Sequence, residues 1–109
     1  MALETKSLGE QKRGDYFAFY ADLTDASLAP IVLSADLISS QIRDRVGTLI
    51  DDLEISTDSV PGRYLIEKGD TKSWPIGDLE IDIEMLIDGK PLSTPTFTVK
   101  IVRDVTQNA

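Results

Sequence analysis

From Leu79 to Asp88 the chain alternates strictly. Leu79, Ile81, Ile83, Met85 and Ile87 fall on one side of an extended backbone, and Glu80, Asp82, Glu84, Leu86 and Asp88 fall on the other. Asp88-Gly89 interrupts the pattern, and Phe97, Val99 and Ile101 resume it. A period of two residues is the signature of a strand with one buried face. The pattern therefore predicts a long antiparallel hairpin with an apolar face and an acidic face, turning at Asp88-Gly89 because glycine tolerates positive φ there.

The rest of the chain reads in the same way. Residues 1–13 carry a weak alternation through Leu3 and Leu8 and form either an arm or a first strand; Gly14-Asp15 is turn-like. Tyr16-Phe17-Ala18-Phe19-Tyr20 is an aromatic strand that sends Phe17 and Phe19 into the core. Asp22 to Pro30 is a loop by composition, and Ile31-Val32-Leu33, too short for a full strand, anchors it against the core. Asp36 to Asp44 admits a helix, with Ile38 and Ile42 four apart, or a strand through Ile38, Ser40 and Ile42. Its β-rich context and the break at Gly47 favour the strand.

Thr48 to Ile55 returns from a turn at Arg45-Val46-Gly47, with Asp51-Asp52 marking a bulge or an exposed stretch. After Pro61-Gly62, Arg63 to Glu67 is a further strand on which Tyr64 and Ile66 face one way. Asp70, placed like an N-cap, and Pro75 bracket a short segment, predicting one helical turn near residues 70–75 that plugs an open end with Trp74. About seven strands separated by turn signals describe an all-β, antiparallel β-sandwich.

A length of 109 residues fits one domain. The expected division is a sandwich over 14–106, preceded by residues 1–13 and followed by a tail at 107–109. Eleven Lys and Arg against 19 Asp and Glu give a net charge of −8, which repels phosphate backbones and excludes nucleic acid as an expected partner. With no cysteine and no histidine, disulfides, thiolate nucleophiles, Cys-based metal sites and Ser-His-Asp catalysis are excluded within these residues. The lack of cysteine fits synthesis in a reducing cytosol. The N-terminal residues show no signal peptide, and no apolar run approaches the roughly 20 residues that span a bilayer, so a soluble chain with no membrane partner is expected.

Candidate chemistry is sparse. Glu80, Asp82, Glu84 and Asp88 lie on one strand face at about 7 Å intervals. They suit a solvated sheet face better than a catalytic pair or a calcium loop, because no Asp-x-Asp-x-Asp-Gly run occurs. Asp22 and Asp25, with Asp51-Asp52, are weaker candidates for a cation. Trp74 is a stacking platform or, more simply, a core plug; Tyr16, Tyr20 and Tyr64 complete the set of candidate interaction or structural anchors. Glycines are singletons at turns and basic residues are scattered, so neither a phosphate cradle nor a nucleic-acid footprint is formed. No catalytic residue, cofactor or metal is expected.

The order of these signals resembles a family of small bacteriophage and prophage structural proteins. The resemblance is carried by Gly14-Asp15 before the aromatic strand, Gln41-Ile42-Arg43, Pro61-Gly62-Arg63-Tyr64, Thr71 with Trp74-Pro75, Asp82-Ile83-Glu84, Asp88-Gly89, Ser93-Thr94-Pro95-Thr96-Phe97 and Asp104-Val105-Thr106. It spans residues 14–106 and is similar to the N-terminal domain of baseplate upper proteins. The resemblance implies an immunoglobulin-like β-sandwich that serves as a non-enzymatic building block of a tail, baseplate or fibre. It also implies other phage structural proteins as partners, a homo-oligomer joined by sheet edges, and a place in the virion or, during assembly, the host cytoplasm. One departure is that Asp25 to Ile31 lacks the glycine that often shapes the first loop in such domains. A carbohydrate or cell-surface binding module, using Trp74 and the tyrosines, is the alternative expectation.

Overall fold

The computed structural model describes residues 6–94 and 96–103. Among them are eight strands: β1 Lys6–Lys12, β2 Phe17–Asp22, β3 Ile38–Asp44, β4 Leu49–Thr57, β5 Arg63–Lys68, β6 Gly77–Ile87, β7 Lys90–Ser93 and β8 Phe97–Val102. They hydrogen-bond in the order β1-β8-β6-β3-β4-β5-β2, with β7 added beside β6. The molecule is all-β, and its sheet curls until it is nearly a barrel. β4 makes the bend: its residues up to Leu53 pair with β3, and Glu54 to Thr57 pair with β5.

The alternating segment behaves as its pattern requires. Leu79, Ile81, Ile83 and Met85 are buried, while Glu80, Asp82 and Glu84 are exposed. Asp88 and Gly89 have φ of 52° and 75°. Two positive φ values between the paired residues Ile87 and Lys90 make the tight turn whose twist matches a hairpin. The return strand differs from expectation, because the far half of β6 pairs with β7 and the near half with β8. Pro95 of the Ser93-Thr94-Pro95 break, Asp104-Val105-Thr106 and the tail at 107–109 lie outside the described residues.

Two further expectations need correction. The sheet is mixed, not purely antiparallel, because β1 lies parallel to β8. The N-terminal segment thus contributes a strand. The short helix is also elsewhere: a 3-10 turn spans Ala35–Leu37, just before β3. Residues 70–75 instead make a single hydrogen-bonded turn, with Trp74 N donating to Thr71 O. The Thr71 side chain is committed to Gly14 and Asp15, and Pro75 cannot continue a helical ladder.

Buried Phe17, Ile42, Leu53, Ile66, Ile83 and Ile101 help fill the space between the two halves of the sheet. Phe19 of β2 and Phe97 of β8 pack together across it with ring centroids 5.3 Å apart. The expected anchoring of Ile31 and Leu33 has a specific cause. Buried Tyr64 donates its hydroxyl to Ile31 O at 2.6 Å and accepts Leu33 N–H at 2.8 Å. The glycine missing from the preceding loop is replaced by Leu28 at φ 64°, while the Asp25 carboxylate accepts the amides of Ser27 and Ala29.

At the other side of this loop Val60-Pro61-Gly62-Arg63 closes a turn, with Arg63 N donating to Val60 O and Gly62 at φ 80°. A Cβ on Gly62 would meet Pro30 Cβ at 2.7 Å and Leu23 O at 3.0 Å. Gly62→Ala is therefore expected to destabilise the fold by roughly 1–3 kcal/mol. Urea denaturation checks this; an unchanged midpoint would remove the claimed close approach.

Candidate interaction surface

Of the four aromatic candidates, two lie inside and two outside. Trp74 is fully buried, with its ring edge-on to Phe17 at 5.3 Å. Its Nε1–H donates to Asp51 Oδ2 at 3.0 Å. Asp51 shares strand parity with buried Leu53, and Lys68 shares it with buried Tyr64 and Ile66, so both charged residues turn toward the core end that holds the indole. Lys68 Nζ stands 3.3 Å from Asp51 Oδ1. The shift in β3–β4 pairing between Ile42 and Arg43 makes Ile50 the extra residue, one position before the expected Asp51-Asp52 stretch. Burial pushes the Asp51 carboxyl up, but the indole and Lys68 bonds outweigh it and leave the group below the ordinary carboxylate value. Neither Trp74 nor Tyr64 offers its ring to a ligand from solution.

Tyr16 and Tyr20 are 58% and 60% exposed, on the outer face of the β2–β5 pair. On this face Ala18 stands opposite Glu67, Tyr20 opposite Leu65, and Asp22 opposite Arg63. One strand further, Glu54 stands opposite Glu67. The Tyr16 hydroxyl donates to Glu67, and that bond, with the negative charge around it, holds the phenol above its usual pKa. Arg63 lies 5.9 Å from the centroid of the Tyr20 ring and pairs with Asp22 at 2.8 Å.

β2 is the last strand in the pairing order, so its other side is in no strand pairing among the described residues. Leu23 N donates to Gly62 O in the same register as the β2–β5 ladder. With a period of two, Phe17, Phe19 and Ala21 turn their backbone groups toward β5, and the N–H and C=O of Ala18 and Tyr20 point outward. The Tyr16 carbonyl accepts from Gln11 Nε2, which caps the start of this edge.

The acidic face of β6 is built differently. Glu80 stands opposite Arg43, Asp82 opposite Gln41 while accepting from Thr96 Oγ1, and Glu84 opposite Ser39. A shallow cleft of about 500 Å³ outside β1, β8 and β6 mixes signs: Glu10, Asp78 and Glu80 with Arg45 and Lys100. Asp22 and Asp25 have separate tasks, an ion pair and a loop cap. No group of three or more metal-ligating side chains occurs among the described residues, and no described helix is long and apolar enough to cross a membrane.

No family model matches the chain, and no curated protein sequence matches it.

From the sequence Asp51 is a candidate only for a cation and Lys68 for nothing, while Glu67 and Arg63 are only the two ends of an expected strand. Strand parity with Leu53 and Ile66 was the available signal for the first two. Asp51→Ala strands the buried indole N–H and is expected to cost about 1–3 kcal/mol, against about 3–5 kcal/mol for Trp74→Ala. Because Asp51 is depressed in the fold, its contribution is present above the unfolded carboxylate pKa and is lost as pH falls through the folded value. Chemical denaturation across the acid range checks this: the Asp51→Ala loss shrinks toward low pH, and a pH-independent loss would contradict the ion-pair assignment.

Proposed function

We propose that this chain is a non-enzymatic protein-interaction module of a phage or prophage particle, in a tail, baseplate or fibre, with an immunoglobulin-like sandwich as its scaffold. The particle role rests on the resemblance of residues 14–106. The mode of action rests on one observation: β2 is a regular six-residue edge with two exposed tyrosines beside it.

The other edges of the sheet among the described residues support this choice. β1 is interrupted at Gly9, with a register shift between Ser7 and Glu10, and β7 has four residues including Lys90 and Pro91. Bulges, short length, lysine and proline are the devices that keep sheet edges from pairing with other chains. β2 contains none of them, and edge pairing needs only exposed amides and carbonyls in register. The carbohydrate reading loses its main support, since the Trp74 indole is inside.

Light scattering on a size-exclusion column tests the proposal with the product of an adjacent particle gene added and omitted. A complex of defined mass is expected, and Ala18→Pro abolishes it. A strict monomer that ignores neighbouring particle proteins contradicts the reading.

A further inference from the structure

We infer that the outer edge of β2 takes an extended segment of another protein carrying an arginine or lysine opposite Ala18, in preference to a second copy of this chain. The inference rests on β2 being the docking edge and adds the chemistry of its occupant.

A strand laid along β2 would bond to the outward backbone groups of Ala18 and Tyr20 and place alternate side chains on the outer face. The one opposite Ala18 would meet a small residue, flanked two positions away on either side by Tyr16 and Tyr20. Directly behind Ala18 in the sheet stands Glu67, and behind that Glu54. Like charges placed opposite each other across strands repel. Lys68, the cation adjacent in sequence, is turned to the other face and committed to Asp51. Arg63 is committed to Asp22 and Tyr20. A long cationic side chain reaching over Ala18 would relieve the Glu54–Glu67 repulsion and lie against the tyrosine rings.

A second copy does the opposite. Antiparallel pairing of β2 with itself would bring two Glu54–Glu67 pairs onto one continuous face, on chains that each carry a net charge of −8.

The test pans a library of displayed linear peptides against the full chain and measures the enriched sequences as synthetic peptides. The expected winners alternate β-branched residues with at least one Arg or Lys. They bind with affinity that falls about tenfold for Glu67→Lys and falls further in about 1 M salt, where the Debye length is about 3 Å. Ala18→Pro abolishes binding while keeping the β2–β5 ladder, since its N–H points outward; an unchanged thermal melt confirms the fold. Winners that need Ala18 but lack basic residues, or a salt-resistant dimer lost in Ala18→Pro, overturn the occupant and leave the docking edge standing. An empty selection, or basic peptides indifferent to Ala18→Pro, overturns both.

Discussion

Burying the single tryptophan requires an acceptor for its N–H inside the protein, and the structure is arranged around meeting that requirement. Asp51 supplies the oxygen from β4, and Lys68 on β5 keeps it charged. Thr71 ties the turn carrying Trp74 back to Gly14 and Asp15, at the corner where β1 becomes β2. Phe17 then packs edge-on against the indole. One hydrogen-bonded plug thus joins the first corner, the bending strand and the segment leading into β6. An apolar residue at position 51 would leave the buried indole N–H without an acceptor.

The same plug fixes the faces of β2. With Phe17 held against Trp74, Phe19 and Ala21 also turn inward, and Tyr16, Ala18 and Tyr20 turn outward. Hydrogen bonding has the same parity: the inward residues bond to β5, and the outward ones present their amides to the free side. Side chains and backbone of Ala18 and Tyr20 are therefore offered to a newcomer together. The bulge in β1 and the proline in β7 show that this fold has means to blunt an edge and uses them elsewhere. High net negative charge disfavours pairing between copies while leaving the edge open to a chain of opposite sign.

Local patterns are legible in the sequence where one face is buried. Alternation in β6, the Asp88-Gly89 turn, the aromatic strand and the Pro61-Gly62 turn all carry their cause in neighbouring residues. Strand over helix at Asp36 to Asp44 rests on context; the sheet supplies it for Ile38–Asp44, while Asp36 and Leu37 fall in the 3-10 turn. The parallel pairing of β1 with β8 had no such signal, since it joins residues some 90 positions apart whose alternation is weak. Asp70 and Pro75 misled because Asp70 caps the amide of Lys72 within a turn, a use of the same side chain that needs no helix. Trp74 as a plug was legible; its partners Asp51 and Lys68 were not, because charged residues on a strand read as solvated until parity with their apolar neighbours is weighed. For the interaction surface, Tyr16 and Tyr20 were legible, whereas Glu67 and Arg63 reach it only through strand pairing.

The central claim is that β2 is a well-formed strand whose outer side is in no strand pairing among the described residues, and backbone amide exchange measured residue by residue on the isolated chain tests it most directly. The account predicts alternation: Phe19 and Ala21 amides protected, with Ala18 and Tyr20 exchanging fast until a partner is added and then slowing. Strong protection of Ala18 and Tyr20 in the isolated chain at low concentration would contradict it, because another part of the same molecule would already occupy that edge.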